Sequence, residues 1–210
     1  MGNWYENYHT FSDAVMRICF VGESFVNGTG DPQCLGWAGR ICAHACILGH
    51  DVTYYNLGVR RETSTELKER WQREVFYRLP LESEGRIVFC FGVNDTTIEN
   101  GKTRVAFETS LDNARHILNI AKQRFSVLMV GTPPVGEIEQ NSRIARLSAA
   151  FASVCDEIDV PYLDVFSSLQ ASEVWIKDAI ANDGAHPRAA GYAQLAQLVQ
   201  NWQSWLSWFK

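Results

Sequence analysis

Five short, mostly apolar runs recur along the chain, at Ile18–Val21, Val52–Leu57, Ile87–Phe91, Val127–Val130 and Tyr162–Val165. Runs of this length, rich in β-branched and aromatic residues, mark strands buried on both faces. Between them the apolar spacing changes to that of a helix. Trp37–Leu48 is the first such segment, and in Thr63–Leu79 the residues Leu67, Trp71, Val75 and Leu79 stand four apart. In Val105–Arg124, Leu111, Ala114, Ile117, Leu118 and Ala121 form one stripe, and Asn141–Ile158 and Ala189–Phe209 complete the set. Strands alternating with helices predict a doubly wound, three-layer α/β/α sandwich around a five-stranded parallel sheet. Residues 1–210 are read as one domain, with 1–16 as an N-terminal extension.

Ligands of such sheets sit outside the carboxyl ends of the strands, where the strand order reverses. The segments leaving those ends are therefore where chemistry is expected. They are Gly22-Glu23-Ser24-Phe25, then Gly58-Val59-Arg60, then Gly92-Val93-Asn94-Asp95, with Asp183-Gly184-Ala185-His186-Pro187 before the last helix. Phosphate-binding patterns do not fit them. Gly22 and Gly28 are spaced wrongly for a P-loop and no Lys follows; Gly28-Thr29-Gly30 lacks a third Gly, because position 33 is Gln. A nucleophile elbow needs Gly at position 26, which is Val.

Composition narrows the classes further. A net charge of -5, without a dense Lys/Arg block, gives no footprint for nucleic acid. No basic segment followed by an apolar core opens the chain, and no run approaches a membrane span, so a cytoplasmic protein is expected. The six cysteines read as reduced, small hydrophobes rather than a disulfide framework. Cys42-Ala-His44-Ala-Cys46 resembles a metal clip, but on a helix His44 is turned about 200° away from Cys42, so no metal is expected.

A serine nucleophile needs a base, an acid that orients the base, and donors for the oxyanion. His186 is preceded three residues earlier by Asp183, which at that spacing can turn back to the imidazole and leave Nε2 for Ser24. Asn94 offers a neutral side-chain N–H donor, and Gly58 a backbone N–H with no Cβ beside it. Taken singly, Ser24 suits a turn serine, Asn94-Asp95 a helix cap and Asp183 an Asx turn.

Together the four segments resemble the motifs of the SGNH hydrolases, the GDSL-type esterases and lipases, with Asn56-Leu57-Gly58-Val59-Arg60 as the second. The resemblance runs from Gly22 to Pro187. It implies a flavodoxin-like fold and a serine hydrolase acting on a small-molecule carboxylic ester without a cofactor. It also implies Ser24 as nucleophile, His186 as base then acid, Asp183 as its orienter, and Ser24 N–H, Gly58 N–H and Asn94 Nδ2 as the oxyanion hole. Two departures stand out: Glu23 where the family usually carries Asp, and Arg61 where Gly is common.

Arg60 and Arg61 read first as solvated cations and second as contacts for an anionic part of the substrate. The absence of a long apolar insertion predicts a preference for short acyl chains. The alternative to an enzyme is a catalytically silent, flavodoxin-like module holding a small acyl or sugar ligand. At the C-terminus, Trp202, Trp205, Leu206 and Phe209 fall on one helical face, with Trp208 off it. Packing onto the sheet, a homodimer contact and a peripheral membrane contact are the readings of that face.

Overall fold

The structure is a computed structural model that describes residues 15–80 and 84–210. The expected extension at residues 1–16 lies almost wholly outside the described residues. Five parallel strands form the main sheet: β1 (Met16–Gly22), β2 (Val52–Gly58), β3 (Gly85–Cys90), β4 (Ser126–Val130) and β5 (Tyr162–Leu163). Their spatial order is β2-β1-β3-β4-β5. The chain steps outward from β1 to β2 and returns to β3 on the other side, so the crevice of order reversal lies between β1 and β3. A small antiparallel hairpin, Ile98–Glu99 with Lys102–Thr103, stands apart from this sheet.

The alternation of side chains along β1 assigns the two cores. Ile18 and Phe20 enter one layer with Trp37, Ile41, Trp175, Tyr192, Leu195 and Val199. Cys19 and Val21 enter the other with Leu67, Trp71, Ala114, Ile117 and Phe151. The first layer holds helices α2 (Gly36–Ile47), α7 (Glu173–Asn182) and α8 (Ala189–Gln200); the second holds α3 (Ser64–Phe76), α4 (Phe107–Ala121) and α5 (Ile138–Glu157). Helix α3 starts at a capping box, with Thr63 and Glu66 each bonding the other's backbone N–H.

Three expectations are corrected. Ala189–Phe209 is not one helix: α8 ends at Gln200, α9 (Gln203–Leu206) follows, and Ser207–Phe209 is a 3-10 turn. An unbroken helix of that length would run about 31 Å, past strands that extend only about 23 Å. The break instead brings Trp205 into the core, 3% exposed, against Phe20. Trp208 is not left off the packed face. It lies against Trp205 and under the Arg86 guanidinium, which also donates to its carbonyl. Residues 166–182, for which the sequence pattern gave no element, form α6 (Phe166–Gln170) and α7. Among the described residues, no helix is long and apolar enough to cross a membrane.

Candidate active site

Strand β1 delivers the chain to the crevice. Gly22 ends it, and a Cβ there would lie 1.9 Å from the Cys90 carbonyl of β3, so only glycine permits this approach of the two strand ends. Glu23 then caps a one-turn helix, α1 (Ser24–Asn27), its carbonyl accepting from Val26 and Asn27 N–H. Ser24 thus stands at the first helical position, 4% exposed. Across the crevice, a 3-10 turn begins at Asn94, a short step past the end of β3 at Cys90.

The structure brings Ser24, His186 and Asp183 together. Ser24 Oγ lies 2.7 Å from His186 Nε2, and His186 Nδ1 lies 2.7 Å from Asp183 Oδ2. Asp183 Oδ1 also accepts from the backbone N–H of His186, at 2.8 Å, and of Ala185, at 3.0 Å. Partial burial alone would raise the Asp183 pKa, but these hydrogen bonds with the nearby imidazole hold it below the usual carboxylate value. An ionised Asp183 only accepts, so Nδ1 carries the hydrogen and Nε2 keeps its lone pair for the Ser24 hydroxyl.

Several groups fix the imidazole. Phe25 lies against it, ring centroids 4.9 Å apart, and stacks in turn on buried Trp175 at 6.1 Å. Trp175 Nε1 donates to the Pro134 carbonyl, and Gly136 N–H to the Gly184 carbonyl. Asn182 Nδ2 donates to the carbonyl of His186 itself. None of these supports was read from the sequence. The apolar residue after Ser24 was the only available signal.

The three expected oxyanion donors differ in state. Ser24 N–H has no hydrogen-bond partner among the described residues. Gly58 N–H donates to Asn56 Oδ1 at 2.9 Å. Asn94 Nδ2 spends one hydrogen on Glu23 Oε2, at 2.6 Å, and the other on the Glu62 carbonyl, at 3.0 Å. Gly58 lies tight beneath α1, where a Cβ would meet Asn27 N at 2.2 Å. Glu62 is itself anchored by an ion pair with Arg70, whose guanidinium also donates to the carbonyls of Gly22 and Leu57.

Glu23 is 1% exposed. Its Oε1 accepts from Val93 N–H at 3.0 Å, and Oε2 from Asn94 N–H at 3.1 Å as well as from Asn94 Nδ2. Burial pushes its pKa up to about 8, with the Asp95 charge adding to the rise and the N–H donors of Val93 and Asn94 restraining it. The folded value therefore exceeds the ordinary glutamate value. The stability this group contributes is complete below about pH 4.5 and is lost as the pH rises through about 8. The Tm should fall over that window, and Glu23→Gln, which cannot ionise, should flatten the fall. An equally steep fall in the variant would assign the pH dependence to other groups.

The two cations named as substrate contacts sit on the surface. Arg60 is exposed. Arg61 adopts a left-handed backbone (φ 65°), pairs with Glu99 at 3.2 Å and accepts from Arg104 through its carbonyl.

The fold is a doubly wound α/β sandwich with these polar groups hydrogen-bonded across its switch point, the place where enzymes of this class bind their ligands. The chain belongs to the GDSL-like lipase/acylhydrolase family, whose model matches residues 20–194, and it is a carboxylic ester hydrolase. Among solved structures it is similar to a lipase/acylhydrolase from Enterococcus faecalis, at 20% identity and a TM-score of 0.72, covering 88% of this chain and 93% of that one. An acetylxylan esterase from Geobacillus stearothermophilus aligns at 15% identity and a TM-score of 0.75, covering 91% and 96%. An α/β hydrolase from the metagenome of Lake Arreo, Spain, aligns at 17% identity and a TM-score of 0.70, covering 88% and 93%. No curated relative matches the chain in sequence.

Proposed function

We propose that the chain cleaves short-acyl carboxylic esters by nucleophilic catalysis, with Ser24 attacking, His186 moving the proton and Asp183 holding the imidazole. The observation that carries this reading is the unbroken hydrogen-bonded sequence from Ser24 Oγ through His186 to Asp183, 2.7 Å at each step. His186 Nε2 takes the hydroxyl proton as Ser24 Oγ adds to the ester carbonyl. The imidazolium, facing ionised Asp183, then returns the proton to the departing alkoxide. Water deacylates the serine by the same steps in reverse roles.

The carbonyl oxygen becomes an oxyanion on the side of Ser24 N–H, Gly58 N–H and Asn94 Nδ2. The last two are engaged at rest, but Asn56 Oδ1 and the Glu62 carbonyl are neutral acceptors. A charged oxygen is the stronger acceptor, so exchange toward it is downhill. Solved relatives support the assignment. Three structures are of catalytic mutants of the G. stearothermophilus acetylxylan esterase, in which a serine, an aspartate and a histidine are replaced, the last two three positions apart. Asp183 and His186 have that spacing.

The short-acyl preference follows from the walls. The segment after Asn94 is a 3-10 turn and a two-residue hairpin carrying Glu99 and Lys102, and the 131–136 stretch is tied to Gly184. The apolar side chains near them, Ile98, Ile138 and Ile180, are exposed on an open surface rather than closed into a sleeve for an alkyl chain. Each methylene left in water forgoes about 0.8 kcal/mol, so kcat/KM should stop rising beyond butyryl esters. Measurement across p-nitrophenyl acetate to palmitate tests this; a steady rise through the long chains would reassign the substrate to a lipid. Labelling of Ser24 by a fluorophosphonate tests the nucleophile itself.

A further inference from the structure

The proposed mechanism leaves Glu23 without a task, although its side chain is among the most constrained polar groups in the molecule. It stands at the end of β1 beside the proposed nucleophile, yet all three of its hydrogen bonds cross the crevice to the residues that follow β3. Among the described residues, no cation hydrogen-bonds to the carboxyl. Arg70, the guanidinium that reaches this end of β1, spends its donors on the Gly22 and Leu57 carbonyls and on Glu62.

We propose that Glu23 is the positioning residue of Asn94: by accepting from both its backbone N–H and its side-chain Nδ2, it fixes the direction of the amide that meets the oxyanion. This rests on the reading of Asn94 as an oxyanion donor. The amide of Asn94 has two hydrogens and two anchors. The bond to Glu23, at 2.6 Å, is the shorter, and that to the Glu62 carbonyl, at 3.0 Å, is the longer. The oxyanion therefore takes the hydrogen now given to Glu62, while the bond to Glu23 acts as the pivot that keeps the amide in place. The same residue caps α1 through its own carbonyl. Glu23 thus ties the nucleophile's turn to the donor's turn, and both move as one unit.

Length matters more than charge in this arrangement. An aspartate would draw the acceptor oxygens back by about 1.5 Å, one carbon–carbon bond, and stretch contacts of this kind beyond hydrogen-bonding range. Glutamine keeps the length and one acceptor oxygen for the two Asn94 donors, while its amide nitrogen replaces Oε1 and leaves Val93 N–H without an acceptor.

The test is steady-state kinetics on p-nitrophenyl acetate for Glu23→Asp, Glu23→Gln and Glu23→Met, with Tm measured alongside. Glu23→Asp should lower kcat about tenfold or more with KM within about twofold, whereas Glu23→Gln should stay within about threefold of the parent. Glu23→Met, of similar length with no acceptor, should reproduce the loss seen with Asp by a second route. In the background of Asn94→Ala, Glu23→Asp should cost nothing further, because the group it positions is gone. Full activity in folded Glu23→Asp and Glu23→Met, or losses that multiply with that of Asn94→Ala, would overturn the inference. A silent Asn94→Ala beside an inactive Ser24→Ala would remove the inference and the donor assignment while leaving the serine mechanism standing. Turnover retained in Ser24→Ala would remove the mechanism itself.

Discussion

Ser24→Ala and His186→Ala are each expected to lower kcat on p-nitrophenyl acetate by a factor on the order of 10⁴ or more, and the double variant by scarcely more than either. The geometry dictates the non-additivity. With His186 gone, the Ser24 hydroxyl has no base: among the described residues its only side-chain partner is Nε2, at 2.7 Å. With Ser24 gone, the imidazole has nothing to deprotonate except water. The residual rate in both comes from the same donors, so the second substitution removes nothing that the first has left working. The fold should tolerate both changes, because the imidazole's backing by Phe25 and Trp175 belongs to the core and persists without it. Near-wild-type Tm with lost turnover is the expected pairing. Losses that multiply would mean that Ser24 and His186 act in separate steps.

The main architecture was legible in the sequence because fully buried strands leave little choice of residue. β1, β3 and β4 are flanked on both faces by packed helices, and their apolar runs are nearly continuous. The interval 166–182 was not legible, since its helices depend on distant contacts. Ser172 caps α7 by accepting from Trp175 N–H, and Trp175 packs against Phe25, far away in sequence, and Tyr192 of the next helix. The C-terminal break was hidden for a similar reason: helical periodicity extends through Trp202 to Phe209, and only the length of the sheet shows that the helix must turn. At the site, Asp183 and His186 were readable because their contact is local, three residues apart. The tie between Glu23 and Asn94 spans some 70 residues and exists only because the sheet sets β1 beside β3. A sequence shows the departure at position 23; the acceptors' destination needs the fold.

Asn94→Ala is expected to lower kcat by roughly 10² to 10³ with KM within about twofold, since an oxyanion donor is used only in the transition state. The bound ester's carbonyl is a weak acceptor and has no advantage over the Glu62 carbonyl that now holds the amide hydrogen. As negative charge grows on that oxygen the balance reverses, and the bond is made where it accelerates the reaction. Deleting the amide also removes a donor from the buried Glu23 carboxyl, whose ionised form then loses one of its three hydrogen bonds. Its pKa should rise further, so the decline of Tm with pH should extend to higher pH in Asn94→Ala than in the parent. The two readouts separate the roles. A change in KM alone would make Asn94 a substrate contact, and a Tm profile that does not move would mean that its amide does not bear on Glu23. Loss of kcat together with a displaced Tm profile is the result expected of one side chain that meets the oxyanion with one hydrogen and Glu23 with the other.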